Sequence, residues 1–274
     1  MRVCVITDNQ FIYEQFLILL RDSRYENVEF DFFSSLGNPP RQAEEELAET
    51  EGAKDRAGRT ATERTEETGC RNGLGQIDLK KVTEDFFGRY DLFLSLHCKQ
   101  LFPSALVKKH RCINVHPGFN PYNRGFYPQV FSILNKYPVG VTIHEMDEQL
   151  DHGPIIVRRQ IPVRDWDTSL DVYTRIQWME VELLREYLPV LLSGEYQVFC
   201  PDREGNVNLE KDFKELCRLD LEQTVTWKEA IDRLRAVTFQ GYRNAYFYDE
   251  EGNKVFVDIH LEKEQHICPR RETI

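Results

Sequence analysis

Short apolar runs alternate with helical patterns through the first half of this chain, and this alternation limits the folds that it can adopt. Residues 2–7 predict a buried parallel strand, because a strand covered on both faces is apolar along its whole length. Ile12, Phe16 and Leu19 then recur at helical spacing. Further strands are predicted at residues 28–32, 92–96, 112–115, 139–144 and 155–161, and further helices at 104–109 and 127–135. The alternation predicts an α/β protein with a doubly wound sheet.

Residues 39–76 interrupt this alternation. Glu, Arg, Thr, Ala and Gly dominate the segment, and it has few large apolar side chains with which to build a core. We predict a polar insertion loop on the surface, weakly helical between residues 44 and 54. The chemistry of the protein is not expected to depend on it, because charged runs of this kind are usually solvated.

A long amphipathic helix is predicted to close the larger part of the chain. Asp167 or Thr168 is expected to cap its start, since short polar side chains accept hydrogen bonds from the free backbone N–H groups of a first turn. Pro189 should kink its last turn, and Gly194 should end it.

The last part of the chain has a different character. Residues 227–237 predict a helix, and residues 245–248 and 254–261 predict the two strands of a hairpin. A helix packed on a hairpin forms a small α+β module. We therefore divide the chain into an N-terminal catalytic domain, residues 1–199, and a C-terminal α+β module, residues 200–274.

Composition and charge exclude several classes of function. A net charge of −11 argues against nonspecific binding of nucleic acid, although a locally basic site can still hold a small anion. No apolar run is long enough to span a bilayer, and residues 1–6 lead into a strand rather than a signal peptide. Seven scattered cysteines lack the paired spacing of a disulfide framework or a zinc site, which predicts reduced thiols in a cytoplasmic protein without a metal. No dinucleotide glycine fingerprint follows the first strand.

Three polar residues carry the strongest chemical signal. Asn114 and His116 are two apart on a predicted strand, so their side chains project from one face. Pro117 and Gly118 turn the chain out of that strand at its C-terminal end, where ligands bind in open α/β sheets. Asp151 follows in a tight connection between two later strands. An amide can stabilise an oxyanion, an imidazole can carry a proton, and a carboxylate can orient the imidazole, so these residues predict an acyl-transfer site.

The segments around these residues resemble a known family, the formyltransferases that use N10-formyltetrahydrofolate. Residues 112–125 (CINVHPGFNPYNRG) and 144–154 (HEMDEQLDHGP) contain its Asn-x-His-Pro strand end, its Arg-Gly loop and its later Leu-Asp-x-Gly. A narrower resemblance is to the sugar N-formyltransferases, most of all those that act on dTDP-4-amino-4,6-dideoxyglucose. It rests on residues 95–103, 120–125, 147–153 and 242–247, and only residues 39–76 depart from it.

The resemblance implies a fold and a reaction. The fold is the Rossmann-like formyltransferase sheet with a small C-terminal module, and the usual assembly is a homodimer. In the reaction, the amine of a dTDP-linked 4-amino-4,6-dideoxy sugar attacks the formyl carbon of N10-formyltetrahydrofolate, a step in the synthesis of O-antigen and other surface polysaccharide. His116 is expected to act as general base, since the unperturbed pKa of histidine, about 6.5, lies close to working pH. Asp151 is expected to favour and orient the imidazolium, and Asn114 to donate to the oxyanion.

The resemblance also implies two groups of binding residues. Those expected to hold the folate are Lys99, Gln100, Leu101, Phe102, Val115, Pro117 and Gly118. Those expected to hold the sugar nucleotide are Asn9, His97, Lys99, Tyr122, Asn123, Arg124, Gly125 and Tyr246. Lys99 and Arg124 are candidates for the phosphates, and Tyr246 or its neighbour Phe247 for stacking on thymine. The non-functional alternatives are that Lys99 is a solvated surface lysine and that Tyr246 and Phe247 pack in the core of the hairpin.

Several other functions stay open at this point. The acceptor is alternatively a 3-amino sugar nucleotide or a UDP- or GDP-linked amino sugar. Water as the acceptor would make the protein a formyltetrahydrofolate hydrolase, but proteins of that kind carry a regulatory domain ahead of the catalytic one. Initiator methionyl-tRNA would require a basic C-terminal domain, whereas residues 210–229 are rich in acid. A non-enzymatic folate- or nucleotide-binding module is the last alternative, and the intact Asn114, His116 and Asp151 argue against it.

Overall fold

A computed structural model describes residues 1–35 and 73–264. Its strands are β1 (Arg2–Thr7), β2 (Glu29–Ser35), β3 (Leu74–Ile77), β4 (Leu92–Leu96), β5 (Cys112–His116), β6 (Arg124–Gly125), β7 (Val139–Glu145), β8 (Ile155–Ile161), β9 (Val207–Asn208), β10 (Tyr246–Tyr248) and β11 (Lys254–Phe256). The α-helices are α1 (Gln10–Leu19), α2 (Glu84–Phe87), α3 (Ser104–Lys109), α4 (Pro128–Asn135), α5 (Ser169–Ser193), α6 (Glu210–Cys217) and α7 (Trp227–Val237).

Seven strands form the central sheet, in the order β3-β2-β1-β4-β5-β7-β8. The first five of these run parallel, while β7 and β8 are antiparallel to their neighbours. The chain winds outwards from β1 in both directions, which confirms the predicted doubly wound α/β fold. The C-terminal ends of β1, β4 and β5 therefore open at one edge of the sheet.

Both faces of the sheet are covered. Val3 and Val5 belong to the core cluster that includes α1 and α5, while Cys4 and Ile6 belong to a second cluster that includes Phe87 of α2. Side chains alternate between the faces of a strand, so a strand covered on both sides has to be apolar throughout. This double burial explains why β1 and β4 are recognisable in the sequence as continuous apolar runs.

The polar insertion ends earlier than the predicted residue 76. Leu74–Ile77 forms β3 and pairs in parallel with β2, so its residues belong to the sheet. Ile77 is the buried residue of this strand, which lies at the sheet edge and lacks a continuous apolar run. Residues 36–72, including the weak helix predicted at 44–54, lie outside the described residues.

The long helix α5 begins where the sequence indicated. Thr168 is its N-cap: the Thr168 side chain accepts from the backbone N–H of Asp171, and the Asp171 carboxylate accepts from the backbone N–H of Thr168 at 2.8 Å. Asp167, the other candidate, instead accepts from the backbone N–H of Arg164. Gly194 is the C-cap with φ +78°, a conformation that glycine adopts without strain.

The C-terminal helices and hairpin are joined to the sheet domain by a buried arginine. Arg235 of α7 donates to the carbonyl oxygens of Arg164 (3.1 Å) and Asp167 (2.8 Å), just before α5, and pairs with Asp232. The hairpin strands β10 and β11 are antiparallel, and the second strand ends at Phe256 rather than at the predicted residue 261. Within residues 1–35 and 73–264, no helix is long and apolar enough to cross a membrane.

Candidate active site

The three predicted catalytic residues meet at the C-terminal end of β5. Asn114 and His116 lie on this strand, and Asp151 lies in the connection between β7 and β8. Asp151 adopts φ +48°, a left-handed conformation that Asp tolerates better than most residues. Its Oδ1 accepts from Asn114 Nδ2 at 3.0 Å, and its Oδ2 accepts from the backbone N–H of Gly125 at 3.0 Å. The carboxylate is therefore held by groups from two separate segments.

His116 is buried beside this carboxylate. Its side chain is 4% exposed, and its Nδ1 lies 3.5 Å from Asp151 Oδ2. Burial lowers the pKa of His116 to about 4, although the negative charge of Asp151 acts in the opposite direction. The pKa of His116 thus lies below its unperturbed value of 6.5, because the loss of solvation outweighs the carboxylate. At neutral pH the ring is an uncharged imidazole.

A glycine packs against the second ring nitrogen of His116. His116 Nε2 is buried and has no hydrogen-bond partner among the described residues. A Cβ atom at Gly118 would lie 2.7 Å from Cδ2 of the His116 ring and closer still to Nε2. A side chain at position 118 would therefore displace the ring. Nε2 is the ring nitrogen that the described part of the chain leaves without a partner.

His144 is a further member of the cluster that the sequence did not identify as part of the site. It is buried on β7, directly opposite Asn114 in the antiparallel pairing with β5. Its Nδ1 donates to the carbonyl oxygen of Glu145 at 2.7 Å, so its Nε2 acts as an acceptor and receives Asn114 Nδ2 at 3.3 Å. Burial also lowers the pKa of His144. Its nearness to Asp151 in sequence was the available signal.

A second polar cluster lies at the ends of β1 and β4. His97 follows β4 with φ +62°, and its Nε2 lies 2.7 Å and 2.9 Å from the two carboxylate oxygens of Glu180. Glu180 is fully buried on α5, and this burial raises the pKa of its carboxyl group. Asn9 caps α1 through its Oδ1 and donates from Nδ2 to Tyr173 Oη at 2.9 Å. Tyr173 Oη in turn lies 3.5 Å from His97 Nδ1.

Two of these residues, Tyr173 and Glu180, were not predicted from the sequence to belong to the site. A signal was present for Glu180, since it falls four residues after the buried Ile176 and four before the buried Leu184. A charged residue on the buried face of a helix requires a partner. That partner, His97, comes from a strand far away in sequence, so its identity was not predictable from the helix pattern.

The loop after β4, residues 97–103, carries both polar and apolar side chains that differ in exposure. Lys99 is exposed and its backbone N–H donates to Asp8 Oδ2 at 2.7 Å. Gln100 Oε1 accepts from the backbone N–H of Leu79 at 2.8 Å, which ties the loop to the sheet domain. Leu101 is 71% exposed, whereas Phe102 packs partly buried against the second core cluster. The loop therefore offers an exposed cation and an exposed apolar side chain near the sheet edge.

Most residues of the loop at 120–126 are buried. Asn123 is fully buried, and its amide bonds to Ser132, Asn135, Asn206 and Asn208. This network gives Asn123 a role in the fold rather than the predicted contact with the sugar nucleotide. Arg124 is also buried and donates to Glu204 at 3.0 Å. The ring of Tyr122, which is partly exposed, contacts that of Tyr137 at 5.2 Å.

The aromatic residues of the C-terminal part divide between two places. Tyr246 contacts Tyr248 and Phe256 within the hairpin, which agrees with the alternative that this residue packs in the hairpin core. Phe239 instead lies 5.7 Å from the ring of Tyr173, and Tyr242 lies 5.5 Å from Phe239. The aromatic pair nearest the His97 cluster therefore precedes the hairpin. Among the described residues, no group of three or more His, Cys, Asp or Glu side chains is arranged to hold a metal ion.

Comparison with known proteins identifies the class to which this fold and site belong. Residues 3–188 match the formyl transferase family, and residues 212–263 match the N-formyltransferase dimerization C-terminal domain. The chain belongs to the formyl transferase family and is a formyltransferase. The resemblance seen in the sequence is thereby confirmed.

Individual relatives have names that specify the acceptor more narrowly than the family does. The chain is 51% identical over 193 residues to the dTDP-4-amino-4,6-dideoxyglucose formyltransferase of Mycobacterium tuberculosis (strain ATCC 25618 / H37Rv), a match that covers 70% of this chain and 82% of the relative. A 4-N formyltransferase from Francisella tularensis superposes with a TM-score of 0.81 at 41% identity, over 96% of this chain and 98% of the other. A sugar N-formyltransferase from Shewanella sp FDAARGOS_354 has the same TM-score at 35% identity, over 97% and 99%.

Proposed function

We propose that this chain transfers the formyl group of N10-formyltetrahydrofolate to the 4-amino group of dTDP-4-amino-4,6-dideoxyglucose. The observation that carries the proposal is the 51% identity to a protein of that name, in a chain that retains Asn114, His116 and Asp151 as one cluster. The similarity to a 4-N formyltransferase over nearly the whole of both chains favours the same acceptor position. Such similarity over both domains also favours an amino sugar over methionyl-tRNA or water.

His116 is the proposed general base. A pKa of about 4 keeps its ring uncharged at neutral pH, so a nitrogen lone pair is available. With its proton on Nδ1, facing Asp151, the ring accepts a proton at the unpartnered Nε2 from the attacking amine nitrogen. Asp151 then stabilises the imidazolium that forms, because the carboxylate oxygen lies 3.5 Å from Nδ1. When bound, N10-formyltetrahydrofolate supplies the formyl carbon as electrophile.

Asn114 is the proposed oxyanion donor. Both hydrogens of its amide are engaged, one with Asp151 at 3.0 Å and one with His144 Nε2 at 3.3 Å. The longer bond, to a neutral imidazole, is the one that is given up more easily to a negatively charged oxygen. His144 would thus hold the amide in position before the reaction. Loss of such a donor costs about 2.7–4 kcal/mol of barrier in a comparable enzyme.

The folate is proposed to lie against Gly118 and the loop after β4. Gly118 lies against His116 Nε2, the ring nitrogen that has no partner among the described residues. Exposed Leu101 and partly buried Phe102 supply an apolar wall for a flat ring system. The full proposed set is Lys99, Gln100, Leu101, Phe102, Val115, Pro117 and Gly118.

The sugar nucleotide is proposed to lie at the ends of β1 and β4. Asn9 and His97 meet there through Tyr173, and exposed Lys99 offers a cation for the diphosphate. The full proposed set is Asn9, His97, Lys99, Tyr122, Arg124, Gly125 and Tyr246. Asn123 is left out because its amide is buried and bonded within the protein.

The proposal extends to the organisation of the chain. We place the catalytic domain at residues 1–199 and the C-terminal module at residues 200–274, with a homodimer formed through that module. The match of residues 212–263 to a dimerization domain supports the dimer. We also propose a cytoplasmic location and a role in surface polysaccharide synthesis. The five cysteines among the described residues are all free thiols, as in a reducing compartment.

A single acceptor panel tests the proposal. Purified protein is incubated with N10-formyltetrahydrofolate and with dTDP-linked 4-amino and 3-amino sugars, UDP- and GDP-linked amino sugars, or no acceptor, and products are identified by mass. The expected product is the N-formyl derivative of the 4-amino sugar, absent with the His116→Asn variant. Modification of a 3-amino sugar alone would overturn the 4-amino assignment. Formate release without any amide product would indicate a hydrolase.

A further inference from the structure

A short segment outside both matched family regions packs against the proposed active site. We call residues 204–208 the strap; they follow the region matched at 3–188 and precede that matched at 212–263. The strap pairs in parallel with residues 124 and 125 through β9 and β6. Backbone N–H groups of Arg124 and Phe126 donate to the carbonyl oxygens of Asn206 and Asn208, each at 3.0 Å. The strap thus supports the loop at 120–126.

The contact between the strap and this loop is made by the backbones themselves. A Cβ atom at Gly205 would collide with the carbonyl group of Pro121. A Cβ at Gly125 would lie 2.5 Å from the carbonyl oxygen of Asn208. Glycine on each side permits a closer approach than any other residue would allow. The position of the loop is therefore sensitive to the position of the strap.

The loop in turn holds Asp151. The backbone N–H of Gly125 donates to Asp151 Oδ2, which is the oxygen that lies 3.5 Å from His116 Nδ1. Asn120 Nδ2 donates to the backbone carbonyl oxygen of Asp151 at 2.8 Å. Two hydrogen bonds from the loop, one to the side chain and one to the main chain, set where this carboxylate stands relative to the imidazole.

Side chains connect the strap to the same place by a second route. The two carboxylate oxygens of Glu204 bind Arg124 Nη2 at 3.0 Å and His152 Nε2 at 3.1 Å. His152, which directly follows Asp151, binds Asp147 Oδ2 at 2.6 Å through Nδ1. The groups that face His152 are Asp147 from its own connection, Glu204 from the strap and, more weakly, His144 from β7.

We propose that the strap, through Gly205 and Glu204, positions Asp151 for formyl transfer and so links the active site to the helices and hairpin that follow the strap within the C-terminal module. The inference rests on the proposed function, since Asp151 has to act on His116 for its position to affect the rate. Glu204 and Gly205 are positioning residues, because they reach His116 only through other residues.

The contacts of His152 with Asp147 and Glu204 should make the effect of a strap variant depend on pH. The two carboxylates raise the pKa of His152, hydrogen bonding by Asp147 being the largest cause. A histidine with a raised pKa contributes its ion pairs below its ordinary pKa, and the contribution is lost as the pH rises through the raised value. In Glu204→Gln, a charged His152 and Arg124 compete for one amide oxygen. A neutral His152 can instead accept a hydrogen bond from the amide N–H that this substitution introduces. In the variant, both His152 and Arg124 therefore have a hydrogen-bond partner at position 204 only at high pH.

Three variants of the full-length protein test the proposal. Gly205→Ala displaces the strap without changing a polar group, and Glu204→Gln alters the exposed carboxylate without threatening the fold. Gly73→Ala is the matched control, because a Cβ there meets nothing within 4 Å. Two readouts are used: kcat and KM for formyl transfer across a pH series that begins at about pH 6, below the ordinary pKa of histidine, and rises until His152 is neutral, and hydrogen exchange of the Gly125 amide.

Gly205→Ala is expected to accelerate exchange at Gly125 and to lower kcat by about 100-fold with KM little changed, the loss that a small misplacement causes. Glu204→Gln is expected to lower kcat by about two- to fivefold at the lower pH and to approach wild type at the higher pH, as befits an exposed ion pair. Gly73→Ala should match wild type in both readouts.

Two results would overturn the proposal. If exchange at Gly125 rises while kcat stays constant, the strap supports the loop but does not position Asp151. If exchange at Gly125 is unchanged in Gly205→Ala, the strap does not hold the loop. A failure of the proposed function looks different, because wild-type protein then formylates no amino sugar while the Gly125 amide remains protected by its hydrogen bond to Asp151.

Discussion

Acidification should destabilise this protein, and His116 should make a measurable contribution to the loss. His116 is buried, and its pKa in the folded state is lowered from 6.5 to about 4. The unfolded chain therefore binds a proton that the folded chain refuses between these two values, so stability is complete above about pH 6.5 and falls as the pH drops towards 4. Each pKa unit corresponds to about 1.4 kcal/mol, which amounts to about 3 kcal/mol in all and about 2 kcal/mol between pH 7 and pH 5.

The measurement is urea unfolding of wild type and His116→Asn at several pH values between about 7 and about 5. Wild type is expected to lose about 2 kcal/mol more than the variant over this range. His260→Asn, which changes an exposed histidine, should follow wild type and serves as the control. Equal losses for wild type and His116→Asn would refute the reasoning, because His116 would then be no less readily protonated in the folded state than in the unfolded chain.

Three further outcomes are expected. Gly118→Ala should lower kcat by about 100-fold, because its new Cβ would displace the His116 ring; steady-state kinetics checks this. Asn123→Ala should lower the free energy of unfolding by at least about 2 kcal/mol, since buried partners lose their hydrogen bonds; urea titration checks this. Thr168→Ala should cost about 1 kcal/mol, because the Thr168 hydroxyl no longer accepts from the backbone N–H of Asp171; a shift in melting temperature checks this.

Each of these outcomes has a contrary result. Wild-type kcat in Gly118→Ala would show that a side chain at position 118 does not displace the His116 ring. Normal stability in Asn123→Ala together with a raised KM for the sugar nucleotide would return Asn123 to the binding site. An unchanged melting temperature in Thr168→Ala would show that the capping box contributes nothing measurable to α5.

The strands that the sequence predicted well include those buried on both faces. β1 and β4 were recognised because continuous apolar runs are required where helices cover both sides of a sheet. β3 escaped detection because an edge strand that buries chiefly Ile77 needs no such run. The antiparallel direction of β7 and β8 was equally absent from the pattern, since direction depends on how the chain returns and not on which residues are apolar.

The reacting groups were predictable for a different reason. Asn114 and His116 lie two apart on one strand, so a local rule places their side chains on one face. Asp151 joined them by resemblance to a family pattern. Contacts between distant segments had no comparable local signal, as His97 with Glu180 and the strap with the loop at 120–126 demonstrate.

The sequence by itself determined the fold class and the family, and it predicted the three proposed reacting groups, because apolar periodicity and short motifs are local properties. Only the tertiary structure decided their chemical state. Burial, and not the nearby carboxylate, dominates the pKa of His116. His144 occupies one amide hydrogen of Asn114, and Gly125 orients Asp151. Solvation and hydrogen-bond partners depend on which distant segments pack together, so they are settled only when the chain has folded.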